Sequence, residues 1–215
     1  LYFEGDRYHS HRIVRAIKNR FGTTMEVGLF EMTGSGLREV ADSAGVPAAQ
    51  YEPAPGSVVC PVLQGTRCLL VEIQALTAPG FLGSTKRKTS GIDASRLAML
   101  IAVLEKHGGL RLADQDIFTS SVGGMKIAEP AADLAIALAV CGAHYNRRLD
   151  ERVCAVGEIG LGGEVRHVQQ LEQRVREAAR LGFKRIITPQ TTMIPPDGCE
   201  LVCVKRMDHA IQHLS

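Results

Sequence analysis

Two cations placed two residues apart form the first pattern with chemical potential. Lys18 and Arg20 stand in the run Lys-Asn-Arg-Phe-Gly, between a strand-like segment and Gly22. On extended backbone, side chains at i and i+2 point to the same side. Such a pair can clamp a phosphate across a subunit boundary, as an arginine finger does. A solvated basic turn is the alternative interpretation.

A second cationic pattern lies in residues 83–111, which hold six lysines and arginines against two carboxylates. Its densest part is Lys86-Arg87-Lys88, within a loop rich in Gly, Ser and Thr over residues 79–91. Clustered cations bind nucleic-acid phosphates without sequence choice. We therefore predict that Lys86, Arg87 and Lys88 bind DNA, with a solvated charged face as the alternative.

A third cationic set occupies the predicted helix over residues 169–181 and the turn that follows it. Arg174 lies in this helix and Arg166 precedes it. We predict that both arginines contribute to DNA binding through the phosphate backbone. Pairing with carboxylates across subunits is the alternative.

Other reactive residue types have no partner at a useful spacing. Ser120 and Ser121 end a predicted strand, and the nearest lysine, Lys126, has the character of a loop cation. His209 and His213 stand at i and i+4, which could chelate a metal on a helix, but no third ligand is near in sequence. We therefore predict no metal site.

Composition excludes several classes of protein. The chain has 215 residues, 45% of them hydrophobic and 22% charged, and a net charge of +2, as in an ordinary globular protein. Six cysteines without a C-x-x-C pair favour buried thiols in a reducing cytosol. No apolar stretch approaches the length of a membrane span, so we expect a cytoplasmic protein. The absence of a G-x-x-x-x-G-K-[ST] motif predicts that this chain does not itself hydrolyse ATP.

The elements that must position these residues mix strands and helices without strict alternation, which predicts an α/β or α+β two-layer fold. Apolar spacing, N-terminal caps and glycine stops predict four helices, over residues 93–107, 130–145, 169–181 and 208–214. Apolar and alternating runs predict strands over residues 26–32, 58–63, 68–76, 117–122, 153–159, 164–168, 185–188 and 201–204.

The chain divides into four parts by composition. Residues 1–5 have the form of a tag remnant. Residues 6–40 carry strand-like runs that cannot bury a core alone, so we assign them to a neighbouring domain. Residues 41–56, rich in Ala, Pro and Gly, are predicted to be a linker. Residues 57–215 form the second domain.

Several runs, in the same order, resemble the bacterial RadA/Sms family of recombination proteins. The runs 18–22 and 31–40 resemble the end of that family's RecA-like ATPase core. Five later runs resemble its C-terminal Lon-protease-like domain, which has a ribosomal protein S5 domain 2-like fold: residues 70–76, 91–93, 102–106, 129–135 and 157–166. The resemblance extends from about residue 7 to residue 205.

The resemblance implies a DNA repair protein that acts in homologous recombination and branch migration. It implies ATP and Mg²⁺ in the motor of the full-length protein and zinc on an N-terminal finger, with no cofactor in the present chain. The implied partners are single-stranded or branched DNA, further copies of the same protein in a homo-oligomeric hexameric ring, and the recombinase RecA. No membrane is implied. Lys18 and Arg20 would bind the neighbouring protomer's nucleotide.

The resemblance also locates a degenerate protease site. Active Lon-type domains use a serine hydroxyl activated by a lysine amine whose pKa is lowered by burial. Ala131 stands at the serine position and Glu172 at the lysine position, 41 residues apart. Since alanine has no nucleophile, we predict no peptidase activity. The main alternative is that the chain serves purely as an oligomerisation scaffold. A second alternative, a serine peptidase, is disfavoured by the identities of Ala131 and Glu172.

Overall fold

The N-terminal part of the chain forms a small antiparallel sheet. The structure, a computed structural model, describes residues 2–4, 11–15, 27–39, 45–46, 48–81 and 83–215. Four strands pair in chain order: β1 (Tyr2–Glu4), β2 (His11–Arg15), β3 (Val27–Thr33) and β4 (Gly36–Glu39). β3 confirms the strand predicted there. Residues 2–4, set aside as part of a tag remnant, pair with residues 13–15 of β2.

A mixed sheet of seven strands forms the centre of the remaining fold. Its strands are β5 (Ser57–Gln64), β6 (Arg67–Pro79), β7 (Arg87–Ser90), β8 (Gln115–Ser121), β9 (Val153–Ala155), β12 (Arg185–Pro189) and β13 (Glu200–Val204). They lie side by side in the order β13-β12-β9-β5-β6-β8-β7. The short strands β10 (Glu158–Ile159) and β11 (Val165–Arg166) form a separate antiparallel ladder.

The sheet consists of two halves joined by a narrow seam. β5, β6 and β8 pair antiparallel, and β5 and β6 form a hairpin whose two-residue turn has Gly65 at φ 63°. β9, β12 and β13 pair in parallel. Between the halves, β5 and β9 share a single register pair, Val59 opposite Cys154. Backbone pairing at this seam is therefore minimal.

Helices cover both faces of the sheet. They are α1 (Ala94–His107), α2 (Asp133–Tyr145), α3 (Leu171–Arg180) and α4 (Met207–Ile211), and a 3₁₀ turn at Pro130–Ala132 leads into α2. The amide of Arg96 donates to the Asp93 carboxylate (2.8 Å), which makes Asp93 the N-cap of α1. Every residue from Asp133 to Gly142 is buried, so α2 is enclosed on all sides.

Alternation along the central strands explains how two cores form. Val58, Cys60 and Val62 of β5 face a large cluster that includes α1, α2 and α4, whereas Val59 and Leu70 face a smaller cluster with α3. Strands buried on both faces bear apolar side chains in both directions. The mixed sheet with flanking helices confirms the predicted α/β class.

Two segments differ from the predictions. Residues 45–46 and 48–56 do not run as a free linker: the Val46 amide donates to the Leu70 carbonyl (3.0 Å) and the Ala48 amide to the Leu181 carbonyl (2.9 Å). Tyr51 is 7% exposed, and its hydroxyl donates to the carbonyl of Ser57 (2.9 Å). The loop predicted over residues 79–91 contains strand β7, which pairs parallel with β8.

Candidate functional site: degenerate dyad and basic surface

The two positions predicted to form a degenerate protease site, residues 131 and 172, lie in different environments. Ala131 is in the 3₁₀ turn before α2 and is 4% exposed, and its carbonyl accepts a hydrogen bond from the Gly157 amide (2.8 Å). Glu172 lies in the first turn of α3 with an exposed side chain that pairs with Arg176 (2.5 Å). A buried methyl group and a solvated carboxylate offer no nucleophile with its base.

Nearby serines are engaged with backbone carbonyls. The Ser121 hydroxyl donates to the carbonyl of Met125, and the Ser120 hydroxyl lies 3.4 Å from the carbonyl of Ser121. The side chain of Lys126 is exposed, and its carbonyl accepts from the Gln64 amide (3.1 Å). These contacts support structural roles for Ser120 and Ser121.

A buried ion pair joins two residues that flank these positions in sequence, Glu129 before Ala131 and Arg174 after Glu172. Arg174 of α3 donates through Nη1 and Nη2 to the Glu129 carboxylate, at 2.8 and 2.5 Å. The guanidinium also donates to the carbonyls of Pro61 (2.8 Å) and Gln169 (2.9 Å), and it is 1% exposed. The prediction that Arg174 binds DNA is therefore wrong for this structure, because its donors are consumed inside the protein.

A second ion pair ties α1 to α2. Arg96 donates through Nε to the Asp133 carboxylate (2.7 Å), whose other oxygen accepts from the Ile159 amide (3.0 Å). Burial raises the pKa of Asp133, and the hydrogen bond from Arg96 opposes that shift by favouring the carboxylate. Arg96 is one of the six cations of residues 83–111. Its charge is balanced by Asp133, and the pair holds α1 and α2 together.

The strand β7 orders the predicted DNA-binding run. The Arg87 guanidinium donates to the carbonyls of Leu112 (2.8 Å) and Gln115, so it is turned into the protein. Lys86 and Lys88 are exposed on either side of it. The ammonium of Lys86 lies 4.0 Å from Asp116, and no carboxylate in the described ranges forms an ion pair with Lys88. Two of the three predicted cations therefore face solvent: Lys88 lies on β7 instead of a free loop, and Lys86 directly precedes this strand.

The cations around α3 are neutralised by close partners. Arg166 is exposed and pairs with Glu164. The other pairs are Arg176 with Glu172, Arg180 with Glu177, and Arg185 with Asp150 and Glu200. Exposed pairs of this kind contribute little stability, but they lower the charge that this helix presents. Arg166 remains a candidate for DNA binding only if it exchanges Glu164 for a phosphate.

Lys18 and Arg20, the predicted nucleotide-binding cations, lie outside the described residues. Their assignment stays a prediction.

Sequence reasoning missed a groove on the open half of the sheet. It has a volume of about 510 Å³ and lies on the face of β6, β8 and β7 opposite to α1 and α2. We call it the open-face groove, and its lining includes Pro55, Gly56, Gln74, Leu76, Lys88, Ser90, Phe118 and Ser120. The available signal was the outward-facing pattern of Leu76 and Phe118, two apolar residues placed where a solvated face would carry polar ones.

Four of the six cysteines are the small buried hydrophobes that were predicted, whereas Cys199 is partly exposed and Cys203 is exposed. Cys60, Cys68, Cys141 and Cys154 are buried as free thiols. Burial raises the pKa of the Cys68 thiol to about 12, which suppresses the reactive thiolate. Within the described ranges, no group of three or more His, Cys, Asp or Glu side chains is arranged to hold a metal ion. In the same part of the chain, none of the helices has the length and apolarity needed to cross a bilayer.

Fold and site together define a class: an α/β protein on a mixed sheet, with exposed lysines at one sheet edge and a buried arginine–glutamate pair. A family model described as subunit ChlI of Mg-chelatase matches residues 121–192, about a third of the chain. This match runs from the end of β8 past β12 and includes Ala131, Glu172 and Arg174.

Curated relatives identify the family. The chain is 46% identical over 217 residues to the DNA repair protein RadA of Listeria monocytogenes, covering 99% of this chain and 47% of that protein. Identity to the DNA repair protein RadA of Bacillus subtilis is 44%, with coverage of 99% and 47%. For that of Synechocystis it is 45%, with coverage of 98% and 42%. The chain belongs to the RadA family and spans about half the length of the curated relatives it matches.

Proposed function

We propose that this chain is the part of a RadA-type DNA repair protein that binds DNA without sequence preference and helps to assemble a ring. The proposal rests on the relatives, which are named as DNA repair proteins, and on two exposed lysines at the edge of the sheet. Lys88 lies on the edge strand β7, and Lys86 is the residue directly before that strand. A phosphate backbone running along this edge would meet both ammonium groups.

In this proposal the chain binds DNA and has no peptidase activity. Residues 57–215 would form a Lon-like domain that has lost its dyad, since Ala131 is a buried methyl group and Glu172 is held by Arg176. Pure protein is expected to leave fluorescently labelled casein intact. The double variant Ser120→Ala, Ser121→Ala is the control for contaminants. Casein turnover that is the same in this variant would trace to a contaminant. Turnover that persists after further purification and is abolished in this variant would contradict the proposal.

The whole protein would act in homologous recombination and branch migration, in the cytoplasm. Its motor would bind ATP and Mg²⁺, with Lys18 and Arg20 reaching the nucleotide of the neighbouring protomer, and its N-terminal finger would bind zinc. We propose a hexameric ring and the recombinase RecA as partners of that full-length protein.

The exposure of Lys86 and Lys88 is the observation that carries the DNA-binding proposal, and a salt titration tests it. Fluorescence anisotropy of a labelled single-stranded oligonucleotide gives the slope of log K against log salt. For the double variant Lys86→Ala, Lys88→Ala, the magnitude of this slope should fall by about 1.4, because each lost contact with a single strand contributes about 0.7.

A matched control removes two cations that are already paired. The double variant Arg176→Ala, Arg185→Ala changes the net charge equally, but both side chains have carboxylate partners. Its slope should equal that of the unmodified chain. A flat salt response, or equal slopes for all three proteins, contradicts DNA binding at β7. Ring assembly in light scattering without any DNA binding would support the scaffold alternative instead.

A further inference from the structure

The open-face groove combines an apolar floor with a cationic edge. Leu76 of β6 stands opposite Phe118 of β8, which stands opposite Lys88 of β7, so the three form one row across the sheet. Leu76 is 61% exposed, an unusual position for a leucine in the middle of a strand. Since neighbouring strands lie about 4.8 Å apart, Leu76 and Lys88 are separated by about 10 Å, with the phenyl ring between them.

The next row of the groove is polar and can donate hydrogen bonds. Gln74, Ser120 and Ser90 are register partners across the same three strands. Among the described residues of the lining, Lys88 is the one that carries a charge. Two carboxylates on the strands of the groove are engaged by other residues: Asp116 of β8 accepts from the Lys86 amide (2.7 Å), and Glu72 of β6 accepts from the Ser57 hydroxyl (2.7 Å). The groove therefore suits a ligand with an apolar planar part and a negative charge.

A rigid backbone segment closes one side of the groove. Gly56 has φ +82°, and a Cβ there would lie 2.3 Å from the carbonyl oxygen of Ala75. The Ala75 amide donates to the Gly56 carbonyl (2.7 Å), which holds residues 54–57 against β6. The groove is thus formed before any ligand arrives, which limits the entropy that binding must overcome.

We infer that the open-face groove receives an unpaired nucleobase of single-stranded DNA, which stacks on Phe118 and Leu76 while Lys88 contacts the adjacent phosphate. This inference rests on the proposed function and adds a mode of recognition to it. Bases offer π-faces to aromatic side chains regardless of sequence. Within a duplex those faces are covered by neighbouring base pairs, so the groove selects single strands over duplex DNA.

A comparison of two oligonucleotides separates stacking from phosphate binding. We use the full chain with a thirty-residue thymidine oligonucleotide and with an abasic oligonucleotide of the same length and backbone charge. Phe118→Ala should weaken binding of the thymidine oligonucleotide about tenfold, the effect of losing one stacked base. Binding of the abasic oligonucleotide should stay within twofold of that of the unmodified chain.

Two further variants guard the interpretation. Leu76→Ala removes an exposed side chain without opening the core, so it tests the floor even if Phe118→Ala fails to fold; it should weaken thymidine binding and leave abasic binding unchanged. Phe81→Ala removes an aromatic side chain that is 85% exposed and outside the lining, and it should change neither affinity.

The possible failures are distinguishable. If Phe118→Ala and Leu76→Ala bind the thymidine oligonucleotide like the unmodified chain, while Lys86→Ala with Lys88→Ala weakens it, the groove inference is overturned and DNA binding at β7 stands. If the unmodified chain binds neither oligonucleotide, both the inference and the proposed function are overturned.

Discussion

The buried pair of Arg174 and Glu129 gives the sharpest test of how the fold is held together. The change is Glu129→Gln, which keeps the size of the side chain and removes its charge. The Glu129 carboxylate accepts from Nη1 (2.8 Å) and Nη2 (2.5 Å) of Arg174 and from the Leu63 amide (2.6 Å). After the change, one of the two acceptor oxygens becomes an NH2 group that cannot accept, and a guanidinium that is 1% exposed has no anion to balance its charge.

The expected cost follows from the burial of the unpaired charge. Removing one partner of a buried ion pair destabilises a protein by about 3–5 kcal/mol. Because the Glu129 side chain is 22% exposed, and water can therefore reach the site, we expect the lower end, about 3 kcal/mol. With a urea m-value of about 2 kcal/mol per molar, the unfolding midpoint should fall by about 1.5 M.

Two control variants define the refuting result. Glu172→Gln breaks the exposed pair with Arg176 and should change the free energy of unfolding by less than about 1 kcal/mol. Glu129→Gln combined with Arg174→Met removes both charges and should be more stable than Glu129→Gln alone, because no buried charge is left unpaired. A midpoint for Glu129→Gln that matches that of Glu172→Gln would refute the reasoning.

Two further predictions concern stability. Burial raises the pKa of Tyr51 to about 12; since the unfolded tyrosine titrates near 10, the folded state binds more protons above pH 10, and stability falls as pH rises. By pH 11 the unmodified chain should lose about 1.4 kcal/mol relative to Tyr51→Phe, measured as the difference between their urea curves at pH 8 and pH 11; a constant difference contradicts this. Asp93→Ala should destabilise the protein by about 1 kcal/mol through the lost cap of α1, while Asp93→Asn retains most of it; equal thermal unfolding of both variants would exclude a capping role.

Regular apolar spacing made much of the fold predictable. The period of Leu97, Leu100, Ile101 and Leu104 indicated α1, and all four side chains are buried. The two apolar runs predicted as strands over residues 58–63 and 68–76 correspond to β5 and β6. The strand β7 escaped prediction because Arg87–Ser90 is short, polar and at the sheet edge, where no apolar pattern is required.

Charge was harder to interpret than hydrophobicity. Arg174, Arg176 and Arg180 share one short helix, and a sequence alone does not reveal which of them meets a carboxylate from a distant segment. Glu129, the partner of Arg174, is 45 residues away in the chain. Periodicity offered the one available signal, since Arg174 precedes Val175 and follows Leu171 by three residues, which is the spacing of the buried face of α3.

The narrow seam between β5 and β9 has a consequence for how the molecule holds its shape. With one register pair linking the two halves of the sheet, their union depends on side chains, above all on α2, which contacts β5, β6 and β9. The helix packs against both halves of the sheet, each of which has its own hydrogen-bonded ladders. Truncation of its apolar side chains would separate the two halves before either half unfolds. Amide hydrogen exchange would then rise between β5 and β9, while the amides within each half stay protected.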